Sequence, residues 1–370
     1  MLDSGIDNKK ALIAMSGGVD SSVAALFMKG RGYDCTGVTM RLIDNEDVGE
    51  CESRTCCSLE DAEDARRVAA EIGIPFYIFD FADDFRAQVI DRFCRAYLAG
   101  ETPNPCIDCN RYIKYDRLYR RMEQLGFDCV VTGHYARIIP DKDSGRYLLL
   151  AAEDKTKDQS YVLYMLTQEQ LARTRFPLGD MKKTEIRRIA EAHGFVNAHK
   201  KDSQDICFVR DGDYAGFIAR YMLDSGAMAG MERGNFIDAD GNVLGEHEGI
   251  IHYTIGQRKG LGTAFGKPRY VTEIRPRTNE VVLGANEDLF TDTVVMKDVN
   301  LISVGAGDLD RPVRVAAKIR YNQSASPASA VRTDEDEITI TFDEPQRAVT
   351  RGQAAVMYDG DTVVGGGVIL

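Results

Sequence analysis

Residues 11–22 read ALIAMSGGVDSS, five apolar residues that break onto two glycines before Val19-Asp20-Ser21-Ser22. The continuation VAALFMKGRG has helical spacing, and CTGVTMRL after it is a second apolar run. The order is strand, glycine turn, helix, strand, which is a βαβ unit. Ser16 to Ser22 fall where the strand gives way to the helix, so backbone N–H groups and a helix N-terminus face whatever binds there. In physical terms that is an anion site. It is not a Walker A loop, because GxxxxGK[ST] and its lysine are absent.

The same alternation continues outward. LEDAEDARRVAAEIG is an amphipathic helix closed by Gly73, and IPFYIFDF is the next strand. Helices are expected near 83–99 and 112–125, and DCVVTGHYARI is a further buried strand. This pattern predicts an α/β fold, a doubly wound, mostly parallel sheet with ligands at the carboxyl ends of its strands. From about residue 235 the segments shorten and glycines multiply. The tail (VRVAAKIRYNQ, ASAVRTDEDEITITFDE, QAAVMYDGDTVVGGGVIL) alternates apolar and polar residues, which predicts a small barrel or sandwich. The expected domains are a catalytic domain at 1–207, a central connector domain at 208–280 and a C-terminal β domain at 281–370.

No run of roughly 18 apolar residues occurs, and MLDSGIDNKKALIAMSGG lacks the features of a secretory signal. A cytoplasmic chain with no membrane partner is expected. Nine cysteines at irregular spacings do not form the framework of a secreted, disulfide-stapled domain. Cys35, Cys94 and Cys129 have apolar neighbours and are expected as buried thiols. Cys51, Cys56 and Cys57 lie in the polar stretch GECESRTCCSLED, an exposed loop or a lid over the ligand. The net charge of -12 argues against a polyanionic partner for the chain as a whole. The middle third is locally basic, with Arg111, Lys114, Arg117, Arg120 and Arg121 close together, and so permits one. His134, in TGHYA, is expected at a strand end facing the ligand cleft.

SGGVDSS resembles the pyrophosphate loop of the ATP-pyrophosphatase superfamily, whose fold is adenine nucleotide α-hydrolase-like. With TPNPCIDCN (102–110), GHYA, KDQSYVL, DSQDICF, YTIGQRKGLG, KIRYNQ and QRAVTRGQ, essentially the whole chain resembles the tRNA-specific 2-thiouridylases. That resemblance implies adenylation of a uridine C2 oxygen with ATP and magnesium, then sulfur transfer. It assigns Ala14, Met15, Ser16, Gly17, Gly18, Val19, Asp20 and Ser21 to the phosphate loop, with Met40 and Gly133 lining the adenine side. Cys109 would be the nucleophile and Cys207 the persulfide carrier, the two joining as a disulfide after transfer. Asn104, Pro105 and Cys106 would meet the target base, and Lys157, Asp158, Gln159, Arg320 and Tyr321 would contact tRNA. Implied partners are the anticodon loops of lysine, glutamate and glutamine tRNAs and a persulfide donor fed by a cysteine desulfurase relay.

The sequence departs from the family at one place. Many members carry Asp where Cys106 stands, so an acid/base role there is in doubt, and Asp108, read as a loop residue, substitutes only if it turns inward. The change also creates CxxC plus Cys207, three thiolates that could hold a [4Fe-4S] cluster. Zinc would need a fourth ligand from Cys51, Cys56 or Cys57. Metal-free persulfide chemistry and a cluster-dependent thiolase variant both stay open. So do two rivals of other classes, an ATP-pyrophosphatase ligase using an amine nucleophile and an idle tRNA-binding protein.

Overall fold

The computed structural model describes residues 9–43, 59–202, 206–209, 212–223, 230–262 and 266–370. Cys51, Cys56 and Cys57 therefore lie outside the described residues. The chain divides into two compact units, 1–89 with 106–208 and 361–363, and 90–105 with 209–360 and 364–370.

The first unit is built on strands β1 (Lys10–Ala14), β2 (Asp34–Arg41), β3 (Phe76–Asp80), β4 (Cys129–Val131), β5 (Ala136–Pro140), β6 (Tyr147–Ala151) and β7 (Thr174–Arg175). Five of them form a parallel sheet in the order β3-β2-β1-β4-β7. Because side chains alternate across a strand, β1 feeds two cores. Ala11 and Ile13 pack with Val23, Val68 and Ile186 from helices α1 (Val19–Gly30), α2 (Leu59–Ile72) and α3 (Lys183–Ala192). Leu12 and Ala14 pack on the other face with Leu118 and Met122. Helices on both faces make the sheet doubly wound, as the alternation predicts. The order reverses between β1 and β4, and that switch point is where such sheets bind ligands.

Two local expectations are corrected. The stretch 129–139 is not one strand: β4 stops at Val131, and β5 begins a hairpin with β6 that joins Thr362 through Leu150. The intervening Thr132, Gly133 and His134 are diverted to line a cavity. The helix expected at 112–125 begins instead at Pro105, whose fixed φ and missing N–H suit a first helical turn. It runs through a π-helical stretch, Cys109–Arg117, into Leu118–Gln124. Asp108 is thus a helical residue. The other expected helix runs Ala82–Phe85, a π turn at Arg86–Ile90, and Asp91–Leu98.

The second unit contains a four-stranded sheet of β8 (Gly234–Ile237), β9 (Val243–His247), β10 (Tyr270–Arg275) and β11 (Glu280–Gly284). Its other sheet runs through β12 (Phe290–Leu301), β13 (Val313–Lys318), β14 (Ser326–Asp334), β15 (Glu337–Arg347), β16 (Ala354–Asp359) and β17 (Thr362–Ile369). Pairing of β12 with both β15 and β17 closes these six into a barrel filled by Val294, Met296, Ile340, Phe342 and Met357. The glycines of VVGGGVIL serve that seam. A Cβ at Gly365 would lie 2.5 Å from Asn300 O, and one at Gly367 2.6 Å from Lys297 O.

Candidate active site

At the carboxyl end of β1 the chain turns through Ser16-Gly17-Gly18 into α1. Gly17 has φ +73°, and a Cβ there would sit 2.3 Å from Asp61 O, so only glycine fits between the loop and α2. Gly18 is the N-cap, extended at φ −88° and ψ 159°, and no side chain caps the helix. The first-turn N–H groups are therefore left for a ligand, and the aligned peptide dipoles favour an anion. Side chains hold the turn from behind. Ser21 Oγ accepts from Ser16 N at 3.2 Å and donates to Gly18 O at 3.0 Å. Asn197 Nδ2 donates to Gly17 O and to Ser22 Oγ, both at 2.9 Å.

This loop opens on a cavity of about 190 Å3 lined by Ala14, Met15, Ser16, Asp20, Ser21, Thr39, Met40, Lys114, Thr132, Gly133, His134 and Gln159. Seven of the ten residues expected to bind ATP are on that lining, and the other three, Gly17, Gly18 and Val19, form the turn itself. The apolar wall of Ala14, Met15 and Met40 beside bare N–H donors suits a purine next to a polyphosphate. The residues present therefore fit ATP.

The floor is polar and organised. His134 Nδ1 is 2.6 Å from Thr132 Oγ1 and 3.3 Å from Tyr115 Oη, while Nε2 is 3.5 Å from Lys114 Nζ. Burial, with the adjacent Lys114 ammonium, pushes His134 well below the usual histidine range, so the ring is neutral. Lys114 and Tyr115 reach it from the π-helical stretch that Cys109 begins. A π-helix shifts side-chain register, and such insertions are frequent at functional sites.

Asp20 faces the cavity with a carboxylate that would repel phosphates, and its charge is compensated. Lys183 Nζ contacts its Oδ1 and Oδ2 at 2.8 and 2.7 Å, and Tyr135 Oη donates at 2.7 Å. The same ammonium lies 2.8 Å from Asp202, which also receives Lys157 at 2.8 Å and Arg187 at 3.0 Å. Burial by itself would raise the Asp202 carboxyl, but Lys157 and Lys183 hold it down at about 2. Sequence reading missed Lys183, Tyr135, Asn197 and Thr39. Tyr135 stands in GHYA but was given no role, and the KK pair opening α3 reads equally as a solvated helix start.

The other expected residues are placed as follows. Cys109 is half-buried, Cys106 exposed and Cys207 half-buried. Asn104 is half-buried and Pro105 buried. Asp158 braces its own turn, accepting from Ala152 N at 3.0 Å and Ser160 Oγ at 2.9 Å. Gln159 lines the cavity and accepts from Tyr135 N at 3.0 Å. In the second unit Arg320 Nη2 donates to Arg347 O at 3.2 Å and to Ala348 O, and Tyr321 is exposed. Burial raises Cys35 and Cys129 to about 11 and Cys94 to about 12, as suits inert core thiols. Among the described residues no three His, Cys, Asp or Glu side chains converge on a point where a metal could sit. Cys106, Cys109 and Cys207 as placed do not form a cluster's ligand set. No helix among the described residues is long and apolar enough to cross a membrane.

A doubly wound sheet with an uncapped glycine loop and an apolar-walled cavity at its switch point defines a nucleotide-binding α/β protein. Family models agree along the chain: a tRNA methyl transferase HUP domain matches residues 9–211, a tRNA methyl transferase PRC-barrel domain 226–285, and an aminomethyltransferase beta-barrel domain 291–369. The chain is 54% identical to the tRNA-specific 2-thiouridylase MnmA of Clostridioides difficile (strain 630), over 98% of each chain. It is 50% identical to the proteins of the same name from Lachnoclostridium phytofermentans and Clostridium acetobutylicum, over 98% of this chain and 99% of each of theirs. The chain belongs to the tRNA-specific 2-thiouridylase MnmA family.

Proposed function

We propose that the protein is a cytoplasmic tRNA-uridine 2-sulfurtransferase that uses ATP and magnesium to replace the C2 oxygen of a wobble uridine by sulfur. The observation that carries this reading is the uncapped α1 N-terminus opening on the cavity, in a chain 54% identical to a 2-thiouridylase along its length. The uridine C2 oxygen is a poor leaving group. Transfer of AMP to it, with release of pyrophosphate, makes it a good one. The loop N–H groups hold the phosphates, and magnesium would offset their charge.

Sulfur then arrives as a persulfide on Cys207. The Cys109 thiolate attacks the Cys207 sulfur, and the two cysteines become a disulfide while the outer sulfur leaves, reduced to sulfide. That sulfide adds at C2 and expels AMP. Two external thiols, themselves oxidised to a disulfide, restore both cysteines before the next turnover. Asn104, Pro105 and Cys106 meet the target base, whose anticodon loop offers unstacked nucleotides that splay out at modest cost. Lys157, Asp158, Gln159, Arg320 and Tyr321 contact the tRNA. The acceptors are the lysine, glutamate and glutamine tRNAs, supplied with sulfur by a cysteine desulfurase relay.

The test is incubation with tRNA, ATP, magnesium and a persulfide donor, followed by nucleoside analysis for 2-thiouridine. Cys109→Ser and Cys207→Ser should each abolish thiolation while pyrophosphate release persists. Undiminished thiolation by either variant would overturn the cysteine roles. Pyrophosphate release with no sulfur incorporated under any donor would point to an amine-using ligase.

A further inference from the structure

Two lysines stand at the nucleotide cavity, and their charges are used differently. The Lys183 ammonium is taken up by Asp20 and Asp202, and the residue does not line the cavity. Lys114 does line it, and no carboxylate among the described residues pairs with its ammonium. With His134 neutral, Lys114 is the one cationic side chain among the described lining residues.

Its ammonium meets His134 Nε2 at 3.5 Å. An ammonium can only donate, so Nε2 is the accepting nitrogen, and Nδ1 carries the ring proton and donates it to Thr132 Oγ1 at 2.6 Å. This contact aims the lysine along the cavity floor without cancelling its charge. The helical stretch that bears it is held firmly. Ile113 and Tyr115 on either side are fully buried, and Asn110 Nδ2 donates to Val162 O at 3.1 Å.

The rest of the cavity provides for two parts of ATP. The uncapped α1 N-terminus suits the pyrophosphate end, and the apolar wall of Ala14, Met15 and Met40 suits the purine. Neither supplies a charge for the α-phosphoryl group, where the reaction takes place. There the uridine C2 oxygen bonds to the α-phosphorus as the bond to pyrophosphate breaks. Pyrophosphate leaves with the electron pair, and the uridine N3 proton passes to water. Negative charge is spread over the α-phosphoryl oxygens during the transfer. A fixed cation already aimed at them stabilises that charge without reorganising.

We propose that Lys114 is a catalytic residue whose ammonium binds the α-phosphoryl oxygens of ATP during transfer of AMP to uridine. The inference rests on reading the protein as an ATP-dependent 2-thiouridylase. The lysine keeps its protons throughout and contributes charge alone.

The experiment measures binding of adenosine, AMP and pyrophosphate to the full chain by calorimetry, in the wild type and in Lys114→Met. AMP carries the α-phosphate alone, pyrophosphate occupies the loop, and adenosine carries no phosphate. Lys114→Met should weaken AMP by roughly tenfold or more, as for loss of a hydrogen bond to a charged group, and leave adenosine and pyrophosphate within about twofold. In tRNA-dependent pyrophosphate release the same variant should lower kcat by about a hundredfold. Circular dichroism identifies a variant that fails to fold, and Lys114→Gln then carries the test. Undiminished AMP affinity, an equal loss of pyrophosphate affinity, or undiminished kcat in the folded variant overturns the proposal, as does a wild type that binds no AMP. Binding needs no turnover, so the two readings fail separately. A wild type that releases no pyrophosphate with tRNA overturns the thiouridylase reading, whereas wild-type AMP affinity in Lys114→Met overturns this one.

Discussion

Gly133→Ala tests whether the cavity depends on close approach of two backbones. Gly133 follows β4 and faces the first turn of α1, where a Cβ would lie 2.8 Å from Ser21 N, 2.9 Å from Asp20 C and 3.0 Å from Asp20 Cβ. Ordinary contact begins at 3.4 Å, so the two elements must part by 3.4 − 2.8 = 0.6 Å. Neither side yields readily: β4 is paired to β1 and β7, and α1 packs in the core through Val23 and Met28. Overpacking of this kind costs about 1–3 kcal/mol of stability. The displaced atoms belong to the first turn of α1, whose N–H groups would hold the phosphates in the proposed reaction, and a misplacement of about 1 Å costs about a hundredfold in rate. A loss of about tenfold in kcat/KM for ATP is expected for the smaller shift. The assay is tRNA-dependent pyrophosphate release, paired with urea unfolding. Gly18→Ala is the control: its nearest neighbour would be Ser16 Oγ at 3.5 Å and its φ suits any residue, so stability should hold or rise by about 0.4–1 kcal/mol. Wild-type unfolding and wild-type pyrophosphate release from Gly133→Ala would refute the reasoning.

Three further outcomes are expected. His247 accepts from Gly249 N at Nδ1 and contacts Asn279 O through Nε2, and burial keeps its pKa below the usual histidine value. The folded state thus binds fewer protons than the unfolded state, so its contribution is intact above pH about 6.5 and declines below it, by at most about 1.4 kcal/mol per pH unit. Melting temperatures at pH 7.5 and 5.5 should fall less in His247→Gln than in the wild type, and an equal fall would refute the assignment. Tyr115→Phe removes hydroxyl contacts to Thr132 and His134 at 3.2 and 3.3 Å and should cost about 1 kcal/mol in urea unfolding. Gly365→Ala drives a methyl against Asn300 O in the barrel seam and should cost at least about 2 kcal/mol, read as a lowered melting temperature.

What could be read from sequence was what local chemistry encodes. The apolar run, glycine pair and helical spacing of residues 11–30 place the loop because each signal concerns neighbours along the chain. The closed barrel was half legible: alternation indicated strands, but closure depends on the pairing of β12 with β17, which no single strand announces. The π-helical stretch from Cys109 was invisible, since its composition suits an ordinary helix. The charge logic of the site is tertiary in the same sense. Read alone, Asp20 is an acidic residue in a loop meant for anions, an apparent contradiction. Lys183, 163 residues away, and Tyr135, 115 residues away, resolve it by taking up the carboxylate. A lysine opening a helix with polar neighbours gives no sign that its ammonium will be buried. That role follows only from packing α3 against α1, which brings the loop's one carboxylate and the chain toward Cys207 within reach of a single cation.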